Sequence, residues 1–328
     1  MPVGKKVNQT IQYLFFLSIA VVLFWFASRN FSFSEIMHYV KDAHYWPLVF
    51  LFIAGIFSHF VRAMRWKLLI KPLGYEVGVI NTFLSIMIGY LVNLATPRMG
   101  EIARCGLLSK YENVPADKLA GTMIAERVFD LICLIILIFI TYIVEYNTVN
   151  AYFQEHIFAP FLKISPYKIG LFIAVILLFT VVLVFVFKKL LKKENKFNDI
   201  IQNLISGFLS VKKLQQRNQF LLLTFGIWFL YWSMAYIGFQ CLDDLSALKP
   251  GAALSVLTFG SIGFVITPGG TGSYQLIIKE VLAQLYHIPE IAGLAFSHIS
   301  WAAQNLVLIV GGIISLILLP LLNTKKND

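Results

Sequence analysis

Two apolar runs in this sequence stop short of a bilayer's thickness and end in helix breakers. Val79–Leu94 has about 16 residues, whereas a helix crossing the hydrocarbon needs about 20. The chain then continues Ala95-Thr96-Pro97-Arg98-Met99-Gly100-Glu101-Ile102-Ala103-Arg104, with Pro and Gly set among three charges. The second run, Ala252–Ile266, ends in Thr267-Pro268-Gly269-Gly270-Thr271-Gly272. Backbone that turns inside a membrane is tolerated only where it is packed in protein or lines a cavity. Each run is therefore predicted to form one arm of a re-entrant hairpin, at about 79–110 and 251–286, with a broken tip facing a polar space.

The remaining chain is built for lipid. It is 58 % hydrophobic and 13 % charged, with a mean hydropathy of +0.76, which excludes both an ordinary soluble domain and a disordered chain. Long apolar stretches fall at Ile11–Ser28, Trp46–Val61, Ile124–Val144, Pro166–Phe187, Phe220–Cys241 and Ile291–Leu319. The expected fold is all-α and polytopic, with about six full transmembrane helices plus the two hairpins. Met1–Ser28 has the basic start of a signal peptide, but Phe24, Trp25 and Phe26 crowd its cleavage region, so it is read as an uncleaved first span. Phe33–Val40 and the stripe Phe197, Ile200, Ile201, Leu204 keep helical spacing and are expected to lie at opposite interfaces.

A net charge of +10 raises nucleic acid as a partner, and its distribution argues against it. With the N-terminus inside, segments 1–10, 62–78, 188–219 and 320–328 carry 16 basic residues, and the opposite loops carry 6. That is the asymmetry of the positive-inside rule, and it predicts a cytoplasmic-membrane protein with both termini cytoplasmic. Cys105, Cys133 and Cys241 are isolated, with no metal or disulfide spacing. No cofactor, metal site or catalytic set is expected.

Thr96-Pro97 and Thr267-Pro268 lie 171 positions apart. The same offset carries Glu126, Arg127 and Asp130 onto Ser297, His298 and Trp301, in a later span. The chain thus divides into halves at 1–150 and 151–328, each with three spans and a hairpin. An odd number of spans per half inverts the second against the first, a recurring transporter plan.

Arg98, Glu101 and Arg104 follow the first break at i, i+3 and i+6. Charges are expensive at membrane depth, so they line a hydrated groove or snorkel at the interface. Arg guanidinium groups suit a phosphate. Glu126 and Asp130 share a helix face, with Arg127 and Asp130 at ion-pair spacing. They either anchor that helix end or balance the arginines and relay protons. Gly269, Gly270 and Gly272 form the second tip, as an opposing wall or as close helix packing. In the last span His298, Trp301 and Asn305 align, with Gln304 alongside, bridging helices or lining a path. Arg62 and Arg65 before Trp66 are read as lipid-head contacts in an interfacial belt. Asp243-Asp244 is read as a solvated acidic pair.

Arg62-Ala63-Met64-Arg65-Trp66, Pro97-Arg98-Met99-Gly100-Glu101-Ile102-Ala103-Arg104, Glu126-Arg127-Val128-Phe129-Asp130 and Pro268-Gly269-Gly270-Thr271-Gly272, in this order, resemble the transmembrane region of lysylphosphatidylglycerol synthases and related flippase-like membrane proteins. The resemblance covers about 10–320. It implies a polytopic fold with re-entrant segments and a role in moving phospholipid or a lipid-linked molecule between leaflets. Two departures stand out. Gln275 replaces a Glu that often follows the glycine motif, and no aminoacyl-transfer domain follows Leu322, so no synthase activity is expected. The leading expectation is a lipid flippase or transporter whose partner is a phospholipid or lipid-linked anion, with Arg98, Glu101, Arg104, Glu126, Arg127, Asp130, Gly269, Gly270, Gly272, Gln275 and His298 along its path. The rivals are a membrane-embedded enzyme using Glu101, Glu126 or Asp130 as base, and a non-transporting envelope scaffold.

Overall fold

A computed structural model describes residues 18, 22–23, 25–29, 31–96, 99–154, 167 and 214–323. All described elements are helical. They are α1 (Phe33–Asp42), α2 (Trp46–Ile70), α3 (Val79–Ala95), α4 (Met99–Glu112), α5 (Ala116–Val144), α6 (Tyr146–Phe153), α7 (Arg217–Gly238), α8 (Pro250–Ile266), α9 (Ser273–Tyr286) and α10 (Glu290–Asn323). Among the described residues, four helical segments are long and apolar enough to cross a membrane: Trp46–Leu73, Ala116–Val144, Arg217–Cys241 and Glu290–Asn323. The chain is an all-α polytopic membrane protein. The expected spans at Ile11–Ser28 and Pro166–Phe187, and the amphipathic stretch from Phe197, lie largely or wholly outside the described residues.

The first of these helices corrects the sequence reading. Trp46–Val61 was expected to end where the charges begin, yet α2 runs on to Ile70 with Arg62 and Arg65 buried within it. Opposite charges on α5 compensate them, so the helix continues through what hydropathy marks as an edge. Two of the basic residues assigned above to a loop therefore belong to the helix interior. α5 likewise begins at Ala116, ahead of the expected Ile124.

Each short apolar helix folds back on its successor. The 17-residue α3 and α8 are about 25 Å long, less than the roughly 30 Å hydrocarbon core. Gly100 approaches so closely that a Cβ there would sit 1.9 Å from Gly89 O, which presses α4 against α3. In the second unit, a Cβ at Gly263 would lie 2.9 Å from Tyr274 Cα, which seats α9 on α8.

The 34-residue α10 is about 51 Å long and gives both units a common axis. Asn323, at its C-terminal end, bonds Asn81 at the base of the α3–α4 unit. Glu290, at its N-terminal end, holds Lys279 of the α8–α9 unit at 3.2 Å. The bases thus lie at opposite ends of α10. Their tips converge near its middle, where Trp301 Nε1 donates to Gly269 O at 2.8 Å and a Cβ on Gly269 would touch Leu94.

At the α10 N-terminal end, Tyr39 and Val40 of α1 pack on a cluster containing Phe239, Leu242, Leu245 and Phe296. Helix α1 opens with a capping box: Ser32 Oγ accepts from Glu35 N, while Ser32 N donates to the Glu35 carboxylate. These hydrogen bonds hold the exposed Glu35 carboxyl below its usual range. At the other end, Trp66, Leu69, Leu108, Leu119 and Phe220 form a second buried cluster.

Candidate functional site

The backbone of the second tip is held by local hydrogen bonds, although the amide nitrogen of the buried Gln275 beside it has no partner among the described residues. Gly269, Gly270 and Gly272 take φ of 64°, 70° and 79°, the left-handed region where glycine is unpenalised. Gly270 N donates to Thr267 O, Thr267 Oγ1 to Thr271 O, and Ser273 Oγ to Gly263 O. Gly272 N is met by Gln275 Oε1 at 2.8 Å. In the first tip Gly100 N donates to Asn93 Oδ1 at 2.7 Å and Met99 N to Thr96 O. Such internal satisfaction is what backbone away from water requires.

Behind the first tip lies a cluster of four arginines and three carboxylates drawn from α2, α4 and α5. Glu126 is fully buried. Its Oε1 meets Arg62 Nη1 at 2.8 Å and Arg65 Nη2 at 3.3 Å, and its Oε2 meets Arg104 Nη2 at 3.1 Å. Asp130, one turn later, takes Arg65 at 2.7 Å and Arg62 at 3.0 Å. Arg104 stacks 4.5 Å over Trp66, whose indole N–H donates to Thr122. Arg62 also donates to the Tyr231 hydroxyl at 3.3 Å, tying α7 to the cluster. The spacing explains the assembly: Arg62 and Arg65 at i, i+3 face Glu126 and Asp130 at i, i+4, so each guanidinium reaches both carboxylates.

Arg127 stands apart. Its guanidinium lies 3.9 Å from Glu101 and 3.9 Å from Asp130, too far for hydrogen bonds, and its side chain is 42 % exposed. Four arginines against Glu101, Glu126 and Asp130 leave one positive charge in excess among the described residues.

A cavity of about 430 Å³ opens between this cluster and the second tip. Arg62, Glu101, Arg127 and Asp130 line one wall, and Gly269, Tyr274, Ser300, Gln304 and Asn305 line the other. Glu101 Oε2, Arg62 Nε and His59 Nδ1 are buried without a hydrogen-bond partner. The volume suits a small polar head, and the mixed lining suits an amphiphile.

The structure sorts the sequence-derived residues. Glu101, Arg127, Asp130 and Gly269 reach the cavity. Arg104 and Glu126 sit behind its wall as ion-pair partners. Arg98 lies outside the described residues. Gln275 is fully buried and caps the tip, and Gly270 packs on Phe264, so both hold the turn rather than line the space. Gly272 starts α9 and His298 is partly buried; neither is among the cavity residues. The largest correction concerns Arg62 and Arg65. Assigned to an interfacial belt, they are 6 % and 0 % exposed and paired inside the bundle, where Arg62 also lines the cavity. Their register against Glu126 and Asp130 was the available signal. His59, Tyr90, Asn93 and Tyr231 also line the cavity and were missed, because isolated polar residues on apolar helices give no pattern.

Comparison with known proteins places the chain. Over 108 residues it is 34 % identical to the UPF0104 membrane protein MJ1595 of Methanocaldococcus jannaschii, a match that covers 32 % of each chain. It is 29 % identical over 201 residues to the UPF0104 membrane protein MJ1078 of the same organism, covering 59 % of this chain and 79 % of that one. The chain thus spans about a third of the length of the first relative. No solved structure matches it. The lysylphosphatidylglycerol synthase TM region matches residues 13–312, from before α1 to well into α10, and the chain belongs to that family of integral membrane proteins.

Proposed function

We propose that the protein moves a phospholipid or lipid-linked anion between the leaflets of the cytoplasmic membrane, as a flippase or related transporter. One observation carries the reading. A cavity lined by apolar side chains together with charged and neutral polar ones lies where two broken helical units, based at opposite ends of α10, bring their tips together. With α3 and α8 too short to cross, the units act as re-entrant hairpins, and the head of a lipid passes between them while its tails stay in hydrocarbon. Broken helices meeting at mid-depth, in a repeat of inverted halves, are a general solution to alternating access. The element bounds suit such a repeat, since α2 and α3 begin 171 residues before α7 and α8.

Within this mechanism Arg127 faces the cargo. Its nearest carboxylates lie beyond hydrogen-bond range, so an incoming phosphate gains charge-assisted bonds without first breaking strong ones. Arg62 supplies a second guanidinium from the same wall, held by Glu126 and Asp130. The apolar residues Met99 and Ile102 are exposed at the start of α4, beside Glu101, and offer acyl chains a surface next to the polar head.

The test is reconstitution of purified protein in vesicles carrying a fluorescently labelled anionic phospholipid, with quencher added outside. Exchange above protein-free vesicles is expected. Arg127→Gln lowers its rate at least about tenfold, the worth of one charged hydrogen bond, while eluting as the native species. Absence of exchange in the unsubstituted protein overturns the reading, and an undiminished Arg127→Gln removes Arg127 from the path.

A further inference from the structure

Three carboxylates stand at or behind the cavity wall, and their surroundings differ. Both oxygens of Glu126 are held by guanidinium groups at 2.8–3.3 Å. Those of Asp130 are held at 2.7 and 3.0 Å. Glu101 has no cation as close. Its Oε1 lies 3.9 Å from Arg127 Nη2, and its Oε2 is buried with no hydrogen-bond partner. The side chain as a whole is 27 % exposed, so the carboxyl is reached from the cavity. A proton arriving at Glu126 or Asp130 would have to displace an arginine, whereas one arriving at Glu101 fills an empty position.

We infer that Glu101 takes up a proton when an anionic lipid head binds Arg127 and releases it when the head departs, so that lipid and proton cross together. This deepens the transport reading above and rests on it. Arg127 lies equally near Glu101 and Asp130, so a phosphate bonded to its guanidinium stands beside Glu101. Carboxylate and phosphate are both acceptors, and with no hydrogen between them two like charges face each other away from bulk water. Protonation resolves the contact. An O–H bond forms at Oε2 with a proton taken from water, and that hydroxyl donates to a phosphate oxygen. On release the O–H bond breaks, the proton returns to water on the far side, and Glu101 again faces Arg127. No electrons move and no further reactant is needed.

The other titratable groups around the cavity are placed for different work. From α2, Arg62 is held by Glu126 and Asp130, and a charge on His59 would stand one turn away from it, like beside like. Tyr90 of α3 packs its ring 4.9 Å from that of His59. Tyr231 of α7 accepts from Arg62, and Tyr274 of α9 shares its hydroxyl with Ser300. The α8 and α10 lining contains no Asp, Glu, Lys, Arg or His. On α4 itself Arg104 is spent on Glu126, and Cys105 is buried. Arg98, three residues before Glu101 in the sequence, lies outside the described residues. Were it to hold Glu101 ionised throughout, no proton would be carried, and the measurement below would say so.

Purified full-length chain in vesicles of neutral phospholipid, with tail-labelled phosphatidylglycerol as a monoanionic probe, tests the coupling. The final distribution of label between leaflets is read, so a slower variant still reports, and protein-free vesicles give the background. With one proton per lipid, a gradient of one pH unit is expected to drive an about tenfold excess of label into the leaflet facing the alkaline side. An imposed membrane potential then has no effect, because no net charge crosses. Glu101→Gln keeps the shape of the protonated acid but exchanges no proton. It is expected to lose the response to the pH gradient and gain one to potential, with label collecting on the positive side, while Glu101→Asp keeps the response to pH. Label that ignores the gradient and follows potential in the unsubstituted protein overturns the proposal. So does a tenfold excess that survives Glu101→Gln and vanishes in His59→Gln, which assigns the proton to the imidazole. Failure of the transport reading looks different, since label then moves in no vesicle. Binding decides in that case: in weakly buffered detergent, short-chain phosphatidylglycerol is expected to draw protons onto the unsubstituted chain and not onto Glu101→Gln, and equal uptake, or none, overturns the proposal.

Discussion

Glu126 shows why a membrane protein can keep a carboxylate away from water. Three guanidinium groups from two other helices surround it at 2.8–3.3 Å, and none of the four residues is more than 6 % exposed. An isolated charge at membrane depth costs several kcal/mol, and pairing offsets that cost only while every member is present. Glu126→Gln removes the negative centre and leaves Arg62, Arg65 and Arg104 crowded, with Asp130 as the one carboxylate still paired to them among the described residues. Breaking a buried pair in this way costs about 3–5 kcal/mol, and about 2–4 °C of melting temperature follows each kcal/mol in domains of moderate size. A loss on the order of 10 °C in detergent is expected, read by the temperature at which the purified protein ceases to elute as one species. Asp117→Asn, near the exposed start of α5 and outside the cluster, serves as the comparison. If the two variants melt together, the cluster contributes no net stability. Glu126 and the arginines were visible in the sequence as charges near apolar runs, but a sequence does not say which charges meet. Hydropathy ended a span at Val61, because a hydropathy window scores Arg62 and Arg65 as if they faced lipid. Only their match to Glu126 and Asp130, across 61 to 68 residues, places them inside.

At the scale of elements, the two helical units depend on close backbone approach more than on large side chains. α3 and α4 touch at Gly89 and Gly100, where a Cβ on Gly100 would meet Gly89 O at 1.9 Å and Asn93 Cγ at 2.6 Å. The nearest atom is backbone and cannot swing aside, so Gly100→Ala must part the helices, which shifts Glu101 and Arg104 together. Gly106, on the same helix, has open space where its Cβ would be, and Gly106→Ala replaces a helix-interior glycine by the best helix former, a gain of about 1 kcal/mol. The pair therefore predicts opposite signs: Gly100→Ala lowers the melting temperature and labelled-lipid exchange, and Gly106→Ala leaves exchange intact with equal or higher stability. Equal losses in both would mean that the close approach at Gly100 is not what sets it apart from Gly106, and equal gains that helix propensity outweighs packing in this unit. The breaks themselves were legible, since Pro and Gly clusters after runs of fewer than 18 apolar residues have few other meanings in such a chain. What the sequence withheld was the use of each tip residue. Gln275 reads as a polar group near a path, yet its carbonyl is spent on Gly272 N, a local capping role that depends on the turn's geometry.

For the whole molecule, the decisive relation is that one helix measures both units from opposite ends. Asn81, at the base of the first unit, donates to Glu112 and exchanges hydrogen bonds with Asn323. The turn that follows Glu112 leads to Ala116, exposed at the start of α5. Ala247 is exposed between Leu245 and Leu248, which pack with Phe296 and Ala292 near the start of α10. With about 51 Å of helix between those regions, Ala116 and Ala247 fall on opposite faces of any bilayer that α10 crosses. In the proposed orientation the basic residues around Lys67 and Lys71, at the end of α2, favour a cytoplasmic Ala116 face by the positive-inside rule, which labelling tests. With Cys105, Cys133 and Cys241 replaced by Ala, a single Cys at 247 should react with a membrane-impermeant maleimide added to intact cells. A single Cys at 116 should react only after the membrane is opened. Labelling of both from outside would place the two units on one face and remove the inverted arrangement on which alternating access depends. Exchange of the two results, with 116 reactive and 247 shielded, would keep the inversion but reverse the protein in the membrane, and the arginine-lined wall would then meet its cargo from the outer leaflet first.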